Sequence, residues 1–302
     1  MSAPLLELRS LAKDFGEHHV LEGVDLVVER GETVVVIGGS GSGKSTLARL
    51  VVGLDEPTAG NILVDGVDLA TLGERQLARE RARFAMVFQK YALLDSLSVY
   101  DNVAFPLRER HTMREPEIEA LVMAQLRALD VAHAAQRLPE ELSGGMAKRV
   151  GIARAMVMGP EFLVYDEPTS GLDPITSRLV DDLIEEVRAR FLVTAIVITH
   201  DMATAFRIAD RVVLLDHGAI AVDASPERLF ATNDPRVRPF ADSSGVDPSR
   251  LAVRLRRKTP AEIRTLWAER AEPPHPAEAH HSFVDVARAL YADANVGLHR
   301  AR

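Results

Sequence analysis

Two stretches of this chain have the residue types and spacing to handle phosphate. The first, Gly38-Gly39-Ser40-Gly41-Ser42-Gly43-Lys44-Ser45-Thr46, contains glycine, four residues, then Gly-Lys-Ser. Glycines let the chain curve so that successive backbone N–H groups point inward at phosphate oxygens, and a helix beginning near Lys44 directs its positive end to the same place. Lys44 is placed to reach the terminal phosphates of a nucleoside triphosphate, and the Ser45 hydroxyl to coordinate magnesium. The second stretch, Phe162-Leu163-Val164-Tyr165-Asp166-Glu167, is an apolar run ending in two carboxylates. At the carboxyl end of a parallel strand, where ligands of α/β sheets collect, Asp166 suits a direct or water-mediated magnesium contact and Glu167 can face an attacking water as general base. Two acids closing a strand are by themselves an ordinary solvated turn; the phosphate loop changes that reading.

Such residues need a sheet to hold them. Thr33 to Ile37 is unbroken in its apolarity, as a central strand buried on both faces should be, and runs straight into the glycines. Leu47, Leu50, Val51 and Leu54 recur at helical spacing over Lys44 to Gly53. Leu6 to Leu11 alternates and Val20 to Val28 is mostly apolar, so residues 5–37 read as short strands and turns. Further strands are expected at Asn61 to Val64, Phe84 to Phe88 and Ala195 to Ile198, a closing hairpin over Arg211–Asp216 and Ala219–Val222, and helices over Glu115–Leu129 and Ala147–Met158. The two helices would form an insertion between halves of a larger sheet.

Composition bounds the rest. With 302 residues, the chain suits one large domain plus an appendage, and 47% hydrophobic residues are enough for a substantial core. A net charge of -8 argues against a protein coated in nucleic-acid phosphates. The absence of cysteine removes thiolate nucleophiles, disulfides and iron–sulfur clusters together. The longest tempting apolar run, Phe191 to Ile198, has 8 residues, far short of the ~20 a membrane helix needs. The chain is therefore expected to be soluble by itself, reaching a membrane only through a partner. After about residue 245 the sequence changes to Pro-broken, His-bearing segments, an appendage rather than a second core.

The motif order resembles the ABC ATPases over about residues 5–245. Leu142-Ser143-Gly144-Gly145-Met146 resembles their signature motif, Gln89 their Q-loop glutamine, Ser170-Gly171-Leu172-Asp173 their D-loop and His200 their switch histidine; Phe15 stands where the family stacks an aromatic ring on adenine. The resemblance implies an α/β fold, an ABC-type P-loop ATPase with a RecA-like core, an antiparallel β subdomain, a helical subdomain at about 90–160 and a C-terminal extension over 246–302. It implies ATP and magnesium as ligands, with Ser45, Gln89 and Asp166 serving the metal. Ser143 and the amides of Gly144 and Gly145 would form an anion site that completes the nucleotide site of a second copy. His200 would contact the γ-phosphate and hold Glu167 and water in register. Ordinary readings stand beside these: Ser143 and Asp173 as helix N-caps, Gln89 as a surface amide.

Phe88 to Leu97, Val99 to Arg108, Met146 in place of the usual glutamine, Asp173-Pro174-Ile175-Thr176 and Asn233 to Arg238 resemble the ATPase subunits of Mla-type phospholipid transporters. That branch implies a permease dimer as partner, a lipid-binding envelope protein, a small regulatory subunit, no nucleic acid, and a place on the cytoplasmic face of the inner membrane. Tyr91, Leu93, Leu94, Leu97 and Phe105 would anchor a permease helix or pack internally. Thr169-Ser170-Gly171-Leu172 follows the generic ABC pattern, which keeps an importer of amino acids or another small solute as the alternative. Ribosomal and DNA-repair members fit poorly, since there is one phosphate loop and Lys44 and Leu142 stand only 98 positions apart. Retention of Lys44, Asp166, Glu167 and His200 speaks against an inactive scaffold. The basic run Arg254 to Lys258 is read as solvated, facing anionic headgroups or binding a neighbouring subunit, and His275, His280 and His281 as structural or solvated rather than a metal site.

Overall fold

A computed structural model describes residues 4–243 apart from Lys90, His111 and Asn233, together with 259–262 and 265. In chain order come β1 (Leu6–Phe15), β2 (His18–Val28), β3 (Thr33–Ile37), α1 (Lys44–Val51), β4 (Ala59–Val64), β5 (Val67–Asp68), α2 (Glu74–Arg81) and β6 (Phe84–Val87). Three helices follow, α3 (Val99–Glu109), α4 (Glu115–Ala128) and α5 (Gly144–Met156). The chain then runs through β7 (Phe162–Asp166), α6 (Pro174–Phe191), β8 (Thr194–Ile198), α7 (Met202–Ile208), β9 (Arg211–Asp216), β10 (Ala219–Ala224), α8 (Pro226–Ala231) and α9 (Arg238–Ser243). The described residues fall into two compact units: those up to Gln89 with those from Glu161 on, and the stretch between Lys90 and Pro160.

The larger unit has two sheets. Six strands lie in the order β10-β9-β3-β8-β7-β6, parallel except for the closing β9–β10 hairpin, and four antiparallel strands lie in the order β2-β1-β4-β5. Every residue of β3 is buried, as its unbroken apolarity requires when β8 and β9 flank it and both faces are covered. In β2, Val24, Leu26 and Val28 turn inward at a spacing of two, joining Leu47, Leu50 and Val51 of α1 in one core. Burying each such side chain contributes about 1.5–3 kcal/mol. The expected α/β core and antiparallel β layer are both present.

Some local features go beyond what the sequence suggests. The inward set of β1 changes parity after Leu8, because Ser10 has φ 45° and its amide is drawn to Asp25 Oδ1 at 2.8 Å; the bulge brings Leu11 back to the core. The run Phe191 to Ile198 divides into a helix end, a left-handed residue at Leu192 (φ 57°) and then β8, which contains the strand expected at Ala195 to Ile198. Two helices, α3 and α6, are not among those expected: Pro106 interrupts the pattern of α3, whereas Val180, Leu183, Ile184, Val187 and Phe191 give α6 a clear helical period behind the Asp173 cap. The C-terminal readings at Arg254–Lys258, His275, His280 and His281 lie outside the described residues.

Charge ties the antiparallel layer to the parallel one. Arg83, at the foot of β6 and 8% exposed, reaches Asp65 at 2.5 Å, Glu80 at 2.6 Å and Glu161 at 2.8 Å, while Arg30 reaches Asp65 and Glu161 at 2.7 and 2.6 Å. Removing one cation from a network this shielded leaves carboxylates crowded and under-neutralised. Arg83→Ala should therefore lower unfolding free energy by about 3 kcal/mol in urea titrations. A loss below about 0.5 kcal/mol would mean that the network behaves as exposed surface.

Candidate nucleotide-hydrolysis site

The phosphate loop leaves the carboxyl end of β3, with Gly38 buried against β9: a Cβ there would lie 2.2 Å from the Leu215 carbonyl oxygen and 2.6 Å from Ser42 Oγ. Gly43, the N-cap of α1, has φ 99°, and a Cβ on it would lie 2.8 Å from the Val20 carbonyl oxygen of β2. Both positions need bare backbone. Gly39, Ser40 and Gly41 are exposed at the tip and Thr46 half-buried in the first turn. Lys44 Nζ donates to the carbonyls of Gly38 at 2.9 Å and Gly39 at 2.7 Å, which folds the ammonium into the loop's concave side. Burial lowers the Lys44 pKa, and the carboxylates of Glu167 and Asp166 work against that shift.

Asp166 ends β7 in register with Ile198 of β8, and Ser45 Oγ donates to its Oδ1 at 3.4 Å. Burial raises the Asp166 pKa and the Glu167 charge adds to it, with the Ser45 bond and the Lys44 charge opposing. The Glu167 amide extends the ladder by one bond, to the Ile198 carbonyl at 2.8 Å, and the residue then takes a left-handed φ of 50°. A non-glycine residue held there is strained, and such strain clusters where a side chain must be aimed. The aim is toward His200 just beyond β8, whose Nδ1 lies 2.8 Å from Glu167 Oε2.

The neighbouring loops meet at Gln89 and Ser170, whose Nε2 and Oγ are 3.0 Å apart. Sequence reasoning aimed Gln89 at magnesium; the structure engages its amide nitrogen with Ser170, a residue read only as part of the D-loop. Asp173 is the N-cap of α6, accepting from the amides of Ile175 and Thr176. Ser143 likewise caps α5, accepting from Met146 N at 3.3 Å, and Gly144 and Gly145 are exposed at the head of that helix with open space around them.

Phe15 closes β1 with 48% of its surface exposed, and Lys13 Nζ lies 5.0 Å from its ring centroid, tethered to the Glu56 carbonyl at 2.7 Å. Lys13 was missed, although residues two apart share a strand face. Of the five apolar residues from Tyr91 to Phe105, only Leu94 and Phe105 are exposed. Tyr91 packs on Gly151 beneath Lys148, its carbonyl held by Arg154, and burial pushes its phenol up to about 12.

The residues fit a magnesium nucleotide. The helix-head amides of Lys44, Ser45 and Thr46 have no intrahelical acceptor, as at any helix start, and Ser42 Oγ is buried without a partner among the described residues. Ser45 and Asp166 offer paired oxygens, the hard donors magnesium takes when phosphates complete its shell. Among the described residues no helix is long and apolar enough to cross a membrane.

The ABC transporter family profile matches residues 21–170. The chain is 38% identical over 246 residues to the Escherichia coli intermembrane phospholipid transport system ATP-binding protein MlaF, covering 82% of this chain and 91% of that protein. It is 35% identical over 257 residues to the probable ribonucleotide transport ATP-binding protein mkl of Mycobacterium leprae, covering 85% of this chain and 74% of that one. It is 38% identical over 271 residues to the methionine import ATP-binding protein MetN of Brucella abortus, covering 90% and 69%. These identities lie too close together to set one subfamily apart. The dimeric structure of a bacterial ABC transporter cassette superposes with a TM-score of 0.65 at 30% identity, covering 73% of this chain and 98% of that one. Sheet order, phosphate loop and relatives agree: the chain belongs to the ABC transporter family, as an ATP-binding cassette subunit that hydrolyses ATP.

Proposed function

We propose that this chain is the ATPase subunit of a transporter that moves phospholipid between a membrane and an envelope lipid carrier, two copies working beneath a permease dimer on the cytoplasmic face of the inner membrane. The observation that carries the lipid reading is the signature segment, Leu142-Ser143-Gly144-Gly145 followed by Met146, in company with Asp173-Pro174-Ile175-Thr176. Similarity to MlaF supports it. Import of an amino acid or another small solute is the second reading, favoured by the generic Thr169-Ser170-Gly171-Leu172 and by similarity to MetN.

In this reading Phe15 stacks on the adenine ring, one face covered by Lys13. The amides from Gly39 to Thr46 cradle the phosphates, and Lys44 trades its loop carbonyls for phosphate oxygens. Ser45 and Asp166 would hold magnesium, with Gln89 swinging from Ser170 to join them; the bound ion would neutralise charge on the phosphates. Glu167 orients the attacking water and accepts its proton, while His200 keeps that carboxylate in place. Ser143, Gly144 and Gly145 of a second copy close the far side with helix-head amides.

Three outcomes are expected. Glu167→Gln should cut phosphate release at least ~100-fold while ATP still binds and a dimer accumulates, seen by light scattering; turnover at the parent rate would remove Glu167 from its role. Asp166 must be ionised to hold a cation, and its pKa is raised, so protons compete at a higher pH than for an ordinary carboxylate. The magnesium needed for half-maximal ATP hydrolysis should thus rise as pH falls, starting at a higher pH than an ordinary carboxylate ligand would set, and a requirement flat across pH would count against Asp166 as ligand. Finally, the complex purified from membranes should bring down a permease and a lipid-binding protein, with turnover that responds to added phospholipid. A solute permease in their place would favour the second reading.

A further inference from the structure

Glu167 and His200 sit on separate loops, after β7 and after β8, and meet through one contact in which the imidazole is 65% exposed. A contact with one partner this exposed holds its geometry weakly. Directly behind it lies a buried polar cluster that the reaction scheme does not use. Thr204, in the first turn of α7 and fully buried, places its hydroxyl 3.0 Å from Asp201 Oδ2, 3.3 Å from Asp181 Oδ2 and 3.5 Å from Thr169 Oγ1. Thr169 is two residues beyond Glu167, Asp201 is the next residue after His200, and Asp181 belongs to α6, the helix that Asp173 caps.

A hydroxyl has one proton and two lone pairs, so Thr204 can donate to one carboxylate while accepting from Thr169. Asp181, 1% exposed, is anchored by Arg207, and its Oδ1 has no partner among the described residues. Burial pushes the Asp181 carboxyl up to about 6 even with Arg207 and Thr204 opposing. Thr169, Ser170, His200 and Asp201 also line one open cleft, so the two loops share a surface as well as a buried tie.

We propose that Thr204 is a positioning residue: its hydroxyl, braced by Asp181, pins the loop after β7 to the loop after β8 and so keeps Glu167 and His200 in register for hydrolysis. This rests on the reading of Glu167 as the group that handles water. Misplacement of such a group by a fraction of an ångström slows chemistry and leaves binding intact. In the full chain assembled in its membrane complex, Thr204→Val should lower kcat about tenfold with the KM for ATP within about twofold of the parent, and Thr204→Ser should restore kcat. Thr169→Val, which cuts one arm alone, should give the same split, and covers the case in which Thr204→Val does not fold. A kcat within twofold of the parent in the valine variants, a KM that rises in proportion, or a serine variant as slow as the valine one overturns the proposal. Glu167→Gln run alongside separates the two readings. Parent-like turnover there overturns the Glu167 assignment and the pin with it; an inactive Glu167→Gln beside an unaffected Thr204→Val overturns the pin alone.

Discussion

The backbone of Gly38 passes so close to the Leu215 carbonyl that even a methyl group would stand 2.2 Å from the oxygen. That approach exists because β3 lies between β8 and β9, with Ile37 in register with Leu214, so the phosphate loop leaves the sheet alongside Leu215. The parallel order also brings the ends of β7 and β8 to the same edge, delivering Asp166, Glu167 and His200 on backbone already fixed by ladder bonds. A sheet in another order would scatter the same motifs. Close packing of one glycine against a neighbouring strand is thus what the site's assembly depends on.

What could be read in advance was what is local. The phosphate loop is contiguous, β3 and β7 advertise double-sided burial through unbroken apolar runs, and Ser143 and Asp173 show their capping roles through the next few residues. What could not be read depends on partners far along the chain. The parity change in β1 follows from Asp25 capturing the Ser10 amide, and no glycine marks the spot. Leu192 ends α6 in a left-handed conformation that glycine or asparagine would have signalled. The Gln89–Ser170 bond spans 81 residues and the Thr204–Asp181 contact 23, distances over which side-chain pattern carries no information.

Four acids show how far environment divides a single functional group. Asp166 and Asp181 are pushed up by burial, the first beside Ser45 and a like charge, the second against an arginine. Asp173 is held down by the Thr176 hydroxyl and the amides of its own helix head. Glu161 is lowered despite burial because Arg83 and Arg30 grip it from two sides. The net charge of -8 therefore says little about the site, where the lysine and the paired carboxylates set the field locally.

The strand β2 contributes no catalytic group, yet the Val20 carbonyl is wedged between Gly43 of the phosphate loop and Gly218 of the β9–β10 turn, and the adjacent Glu22 amide bonds to the Gly218 carbonyl at 2.9 Å. Backbone packed on both sides has no freedom in length. The hairpin tip at Gly16 and Glu17 faces open space, so its length can vary over evolutionary time, although Gly16 itself holds a left-handed φ of 62° that favours glycine. An insertion four residues later would shift the phosphate loop itself. Tolerance to insertion and deletion in this layer should change abruptly within a few residues, just past the Phe15 ring.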